Sequence, residues 1–199
     1  MLGKQAKILS DDNIRNLLAF TSLTRYPPRN RVLVLLSVKA GLRAGEIANL
    51  TWAMVTEPGG EIGTVIALED KCAKKKSGRV IPLHADLADG LATLRNLTGG
   101  NGPVIRSERD MPMVPLSIVN WFRTAYRAIG LIGCSSHSGR RTFVTRAARL
   151  AHKAGGSLRD VQILAGHRSI QTTERYIDGD TDDVPLRSEE HTSELQSPY

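Results

Sequence analysis

A single short β-rich stretch, flanked on both sides by segments of helical periodicity, limits this chain to a mainly helical fold carrying a small sheet. Thr51 to Val55, Gly63 to Leu68 and Arg79 to Leu83 are rich in β-formers and bounded by Gly and Pro. They predict a three-stranded antiparallel sheet. Upstream, Ser10 followed by Asp11 and Asp12 reads as an N-cap with acids in the first turn, opening a helix over residues 10–21. Pro27-Pro28 opens a second helix, Arg29 to Ala40, with an apolar LVLLSV centre and Gly41 at its end. A third, short helix runs from Ala44 to Leu50. Downstream of Pro82 helical patterns return over Ala85 to Asn96, Leu116 to Ile129, Arg140 to His152, Leu158 to Ala165 behind Ser157, and Ile170 to Ile177. The expected class is α+β, mainly α, with no linker dividing it and no internal repeat.

Charge narrows the partner. The 199 residues carry a formal net charge of +7 and 41% hydrophobic residues, enough for a core. That balance favours a polyanion, nucleic acid before membrane. No apolar run reaches membrane-spanning length and no signal peptide is evident, so a cytoplasmic protein is expected. Two cysteines, Cys72 and Cys134, provide neither a disulfide framework nor a metal-ligand cluster.

Five stretches carry the candidate chemistry. Ser135-Ser136-His137-Ser138-Gly139-Arg140 sets a histidine and an arginine three apart at a helix start, a poor pairing for a plain surface and a good one for gripping a phosphate. Arg43 follows Gly41-Leu42 with Glu46 three residues on. Lys74 lies in the basic loop Glu69 to Gly78, between two predicted strands. His167 lies in Leu164-Ala165-Gly166-His167, and Tyr176 in Thr172-Thr173-Glu174-Arg175-Tyr176. Each has an ordinary reading by itself: an H-x-x-R pair on a solvated helix, an Arg–Glu surface pair, a solvated lysine run, a loop or capping histidine, a half-buried tyrosine.

Their order and spacing together are not ordinary. Arg, then Lys in a hairpin, then H-x-x-R, then Gly-His nine residues before a Tyr resembles the tyrosine recombinase (phage integrase) family. AGLRAGEIANL, HSGRRTF and LAGH with TTERYI are similar to its three signature boxes, and the likeness covers about Ser10 to Asp178. The resemblance implies a helical catalytic domain with a small sheet, acting on double-stranded DNA. It implies strand cleavage and rejoining through a 3′-phosphotyrosine intermediate, with no metal, cofactor or ATP. Arg43 and Arg140 would then clamp the non-bridging phosphate oxygens, with His167 as a further donor. Tyr176 would be the nucleophile, His137 its base, and Lys74 the acid for the leaving 5′-oxygen. Lys74 stands eight residues before Pro82, as in the family pattern; Lys75 and Lys76 are open alternatives. Glu46 would orient Arg43.

The family usually works as a tetramer on DNA; this chain is expected to be monomeric without DNA. A prokaryotic, phage or plasmid origin is implied. Residues Arg187 to Ser197, RSEEHTSELQS, resemble the translation of a sequencing adapter. Residues 1–186 are therefore expected to form the catalytic domain, cut short at its end, with 187–199 foreign to it. The tail holds one arginine and three glutamates, so the +7 of the whole chain becomes +9 for residues 1–186. Few residues precede the first helix. Either Met1 starts a minimal enzyme or a DNA-clamping domain is lost. Two rival readings are a type IB topoisomerase with related chemistry, and a DNA-binding regulator or remnant that keeps the fold. The full set of six polar residues argues against decay.

Overall fold

The structure, a computed structural model, describes residues 6–70 and 78–178. Its elements run α1 (Asp11–Thr21), α2 (Pro27–Val38), α3 (Ala44–Ala48), β1 (Val65–Leu68), β2 (Arg79–Pro82), α4 (Ala85–Thr98), α5 (Pro115–Ala128), α6 (Ser138–Lys153), α7 (Leu158–Ala165) and α8 (Ile170–Asp178). Among the described residues no helix is long and apolar enough to cross a membrane.

Local chemistry sets the helix ends. The Ser10 hydroxyl accepts the Asn13 N–H at the start of α1. Pro27 and Pro115 stand in the first turns of α2 and α5, where a missing N–H costs nothing. Ser157 and Asp160 cap α7 reciprocally, side chain to backbone N–H in both directions.

The centre of the molecule is α2. Every residue from Val32 to Val38 is buried, the mark of a helix apolar on all sides and enclosed by its neighbours. α1, α4 and α6 pack around it. A second, smaller core joins Val144, Val161 and Ala165, with Tyr176 packed against it. Phe143 touches both cores. The segment before α1 is strapped over α6: the Leu9 N–H donates to the Thr142 hydroxyl at 2.8 Å, and Arg141 donates to the Ala6 carbonyl.

The sheet differs from expectation. Among the described residues it has two strands, not three: β1 and β2 pair antiparallel with Ile66 opposite Ile81 and Leu68 opposite Arg79. Residues 51–55 form a 3-10 turn at Trp52–Met54 instead of a strand. The Met54 N–H bonds the Thr51 carbonyl and the Val55 N–H the Trp52 carbonyl, so the backbone closes on itself. Its remaining pairing is one isolated bridge at each end, Thr51 to Pro103 and Thr56 to Ile62. A short apolar run fits a buried turn as well as a strand, and here Trp52, Met54 and Val55 are all buried. The Lys74 loop between β1 and β2, with Lys75 and Lys76, lies outside the described residues.

Gly41 ends the approach to α3. Its φ is +63°, and a Cβ there would stand 2.3 Å from Phe143 Cδ1. Gly41→Ala should therefore destabilise the protein by about 2–4 kcal/mol, left-handed strain plus overpacking. Gly45, inside α3, has nothing within 4 Å of a Cβ; Gly45→Ala should be neutral or stabilising by up to about 1 kcal/mol. Denaturant midpoints of the two variants check this pair, and equal midpoints would refute it.

Candidate active site

Arg140 projects from the first turn of α6 into the interior, where it is 2% exposed. Its guanidinium donates to the Gly41 carbonyl and the Ala165 carbonyl, both at 2.6 Å. Ala165 is the last residue of α7, so its carbonyl lacks a helical partner and lies at the negative end of the helix dipole. Burial, then the charge of Arg43, lowers the Arg140 pKa to about 10. The cation thus persists at neutral pH. Its Nε has no hydrogen-bond partner among the described residues.

Arg43 stands at the N-terminus of α3, with its side chain 27% exposed. It donates from Nη1 to Glu46 Oε1 at 2.8 Å, and its backbone N–H donates to Glu46 Oε2 at 2.9 Å. Glu46 is buried, and Arg79 grips the same carboxylate with both terminal nitrogens, each at 3.0 Å. Burial alone would raise the Glu46 pKa. The hydrogen bonds and charge of Arg79, then those of Arg43, outweigh it and hold the pKa at about 2.

His167 follows the left-handed Gly166 that terminates α7. The ring is buried, its Nδ1 is 3.0 Å from the Thr173 hydroxyl, and its backbone carbonyl accepts from Gln162. Burial, then the charges of Arg140, Arg43 and Arg79, depresses its pKa to about 3. The imidazole is therefore neutral at pH 7. A Thr173 hydroxyl that donates to Nδ1 puts the ring proton on Nε2, which has no partner among the described residues. The Tyr176 ring stacks on His167, centroids 5.2 Å apart and planes at 25°. Tyr176 is half-buried, and its backbone carbonyl accepts from the Thr145 hydroxyl of α6.

His137 occupies the position just before α6, makes no side-chain bond to the helix's first N–H groups, and lies at the surface. Partial burial, then the charges of Arg140 and Arg43, lowers its pKa. The structure so gathers Arg43, His137, Arg140, His167 and Tyr176 around one positive centre, while Lys74 lies outside the described residues. Arg79, Thr173 and Gln162 carry no signal in the sequence reading. Arg79 reads there as one residue of a strand. Its alternation with exposed Val80 and buried Ile81 puts it on the inner face, the one available clue.

Residues 7–182 match the family model described as "Phage integrase family". The tyrosine recombinase XerD of Xanthomonas axonopodis pv. citri is 31% identical, over 85% of this chain and 57% of its own. The chain spans about half the length of the curated relatives it matches. Among solved structures, XerA recombinase superposes with a TM-score of 0.70 at 21% identity, covering 89% of this chain and 60% of its own. A lambda integrase dimer bound to a COC′ core site gives 0.69 at 20% identity, over 98% of this chain and 53% of that one. At such identities the superpositions speak for the fold.

The site makes a linkage prediction. His167, with an ordinary pKa of 6.5 and a folded value of about 3, binds fewer protons folded than unfolded between those pH values. Glu46 does the same between 4.5 and about 2. Stability from both groups is fully present above about pH 6.5 and is lost as pH falls through these windows. The melting temperature should drop on acidification from pH 7. His167→Asn should flatten the decline between pH 6.5 and 4.5, and Glu46→Gln the decline below 4.5. An unchanged slope in both variants would overturn the assignment.

Proposed function

The chain belongs to the phage integrase family, and from that premise we propose that it is the catalytic part of a site-specific DNA recombinase. The observation that carries the reading is the arrangement of two arginines and a buried histidine beside a stacked tyrosine. A phosphodiester resists attack because its charge repels nucleophiles, and further charge gathers on the non-bridging oxygens in the transition state. Arg43 and Arg140 would hold those oxygens with charge-assisted bonds, and His167 would donate from Nε2. Their charge would do the work a metal ion does elsewhere.

Tyr176 would attack phosphorus through its phenolic oxygen, forming a phosphotyrosine ester as the bond to the 5′-oxygen breaks. The phenol proton would pass to His137, whose lowered pKa keeps it free to accept one. The leaving oxygen would take a proton from Lys74, or from Lys75 or Lys76. Reversal with a new 5′-hydroxyl rejoins the strand without ATP, since the ester conserves the bond. Double-stranded DNA is the partner, and strand exchange would need several protomers on it. Among the relatives' structures, lambda integrase is seen as a dimer on a core site and as a tetramer on a Holliday junction.

On a nicked suicide substrate the protein should form a covalent DNA adduct, and Tyr176→Phe should cut its formation by at least about 10³-fold. The adduct should form unchanged in excess chelator. An adduct from the Phe variant, or loss of activity in chelator that magnesium restores, would refute the reading.

The acid can be located separately. A substrate with sulfur at the bridging 5′ position has a leaving group that needs no proton. Lys74→Ala should be slow on ordinary DNA, by about 10²–10⁴-fold, and largely recovered on the sulfur substrate. Recovery of Lys75→Ala or Lys76→Ala instead would move the role along the loop.

A further inference from the structure

β2 carries a buried arginine to which neither the sequence nor the chemistry above assigns work. Arg79 lies on the inner face of the hairpin, level with Leu68 and alternating with Ile81, and its side chain is 3% exposed. Three directed contacts leave it. Nη1 and Nη2 take the two oxygens of Glu46 at 3.0 Å each, and Nε donates to the Leu164 carbonyl at 2.9 Å. Leu164 belongs to the last turn of α7. The guanidinium also packs under Gly166, where a Cβ would stand 2.8 Å from Nη1. One planar group thus joins β2, α3 and the residue before His167.

We infer that Arg79 is a positioning residue of the cleavage site, holding Arg43 and His167 in register with each other. The inference rests on the strand-transfer reading above. Toward Arg43 the effect runs through Glu46. With Arg79 on both carboxylate oxygens, the Arg43 guanidinium meets Glu46 through a single nitrogen, and its other donors are left to face a phosphate. Without Arg79 the buried carboxylate would draw the Arg43 fork fully onto itself. Toward His167 the effect is direct. Arg79 on the Leu164 carbonyl and Arg140 on the Ala165 carbonyl reinforce the bonds that the Gly166 and His167 N–H groups make to the Ile163 and Gln162 carbonyls at the end of α7. A lysine keeps the charge but cannot supply a planar fork and a third, divergent donor at once.

Two variants test this. Arg79→Lys keeps the buried charge. The double variant Arg79→Met with Glu46→Gln removes the carboxylate along with the cation, so neither charge is left buried alone. Both should still melt in one cooperative transition. Both should form the covalent adduct at least tenfold more slowly in single turnover. Independently of activity, amide hydrogen exchange at Gly166 and His167 should speed up at least tenfold in both variants, with α2 amides unchanged. A purely structural arginine would leave the double variant with the adduct rate, and the exchange at Gly166 and His167, of Glu46→Gln alone, and that result would overturn the inference. If Arg79→Lys fails to fold, the double variant decides it alone. A wild-type protein that forms no adduct would overturn the recombinase reading, and the exchange measurement would still decide whether Arg79 fixes the end of α7.

Discussion

Two buried guanidiniums close the C-terminal end of α7, and the candidate site depends on that closure. The last carbonyls of a helix have no partner within it and carry the negative end of its dipole. Arg140 takes the Ala165 carbonyl and Arg79 the Leu164 carbonyl. The same Arg140 reaches the Gly41 carbonyl beyond the end of α2. Gly41 and Gly166 are both left-handed, so the chain turns sharply where each arginine contact is made. One contact leads directly to Arg43 and the other to His167.

The electrostatic consequence follows from the same packing. The guanidiniums of Arg43 and Arg79 bond the carboxylate of Glu46, and the buried charge of Arg140 lies close enough to feel it. After burial, the charges of Arg140, Arg43 and Arg79 lower the His167 pKa, and those of Arg140 and Arg43 lower that of His137. A surface this positive and partly desolvated attracts an anion more strongly than bulk water would allow.

Much of the arrangement is legible from sequence because it is local. Helix ends are written by Ser10, Ser157 and Pro27, and the structure places α7 at Leu158–Ala165, where the cap and the apolar spacing put it. The signature boxes around Arg43, Arg140, His167 and Tyr176 survive as short strings because each is one turn beside a helix end. The third strand misled for the opposite reason. Thr51 to Val55 has strand-like composition, but Met54 and Val55 bond back to Thr51 and Trp52 in a 3-10 turn, and its distant pairing, Trp52 N–H to the Gly102 carbonyl beside the Thr51–Pro103 bridge, is announced by nothing nearby in sequence.

Sequence alone determined the mainly helical class of fold and the order of the signature boxes, because apolar periodicity, capping residues and motif spacing are properties of contiguous residues. Tertiary structure alone decided the burial of Arg79, the sharing of Glu46 between two arginines and the pairing of His167 with Thr173. It also decided that Arg140 spends its donors on two carbonyls 99 and 25 residues away. In a strand, an arginine beside glycine and valine looks like a solvated edge residue. Only when α7 and α3 pack across that strand does the charge find a carboxylate and a carbonyl, and a buried cation is stable only where such partners converge.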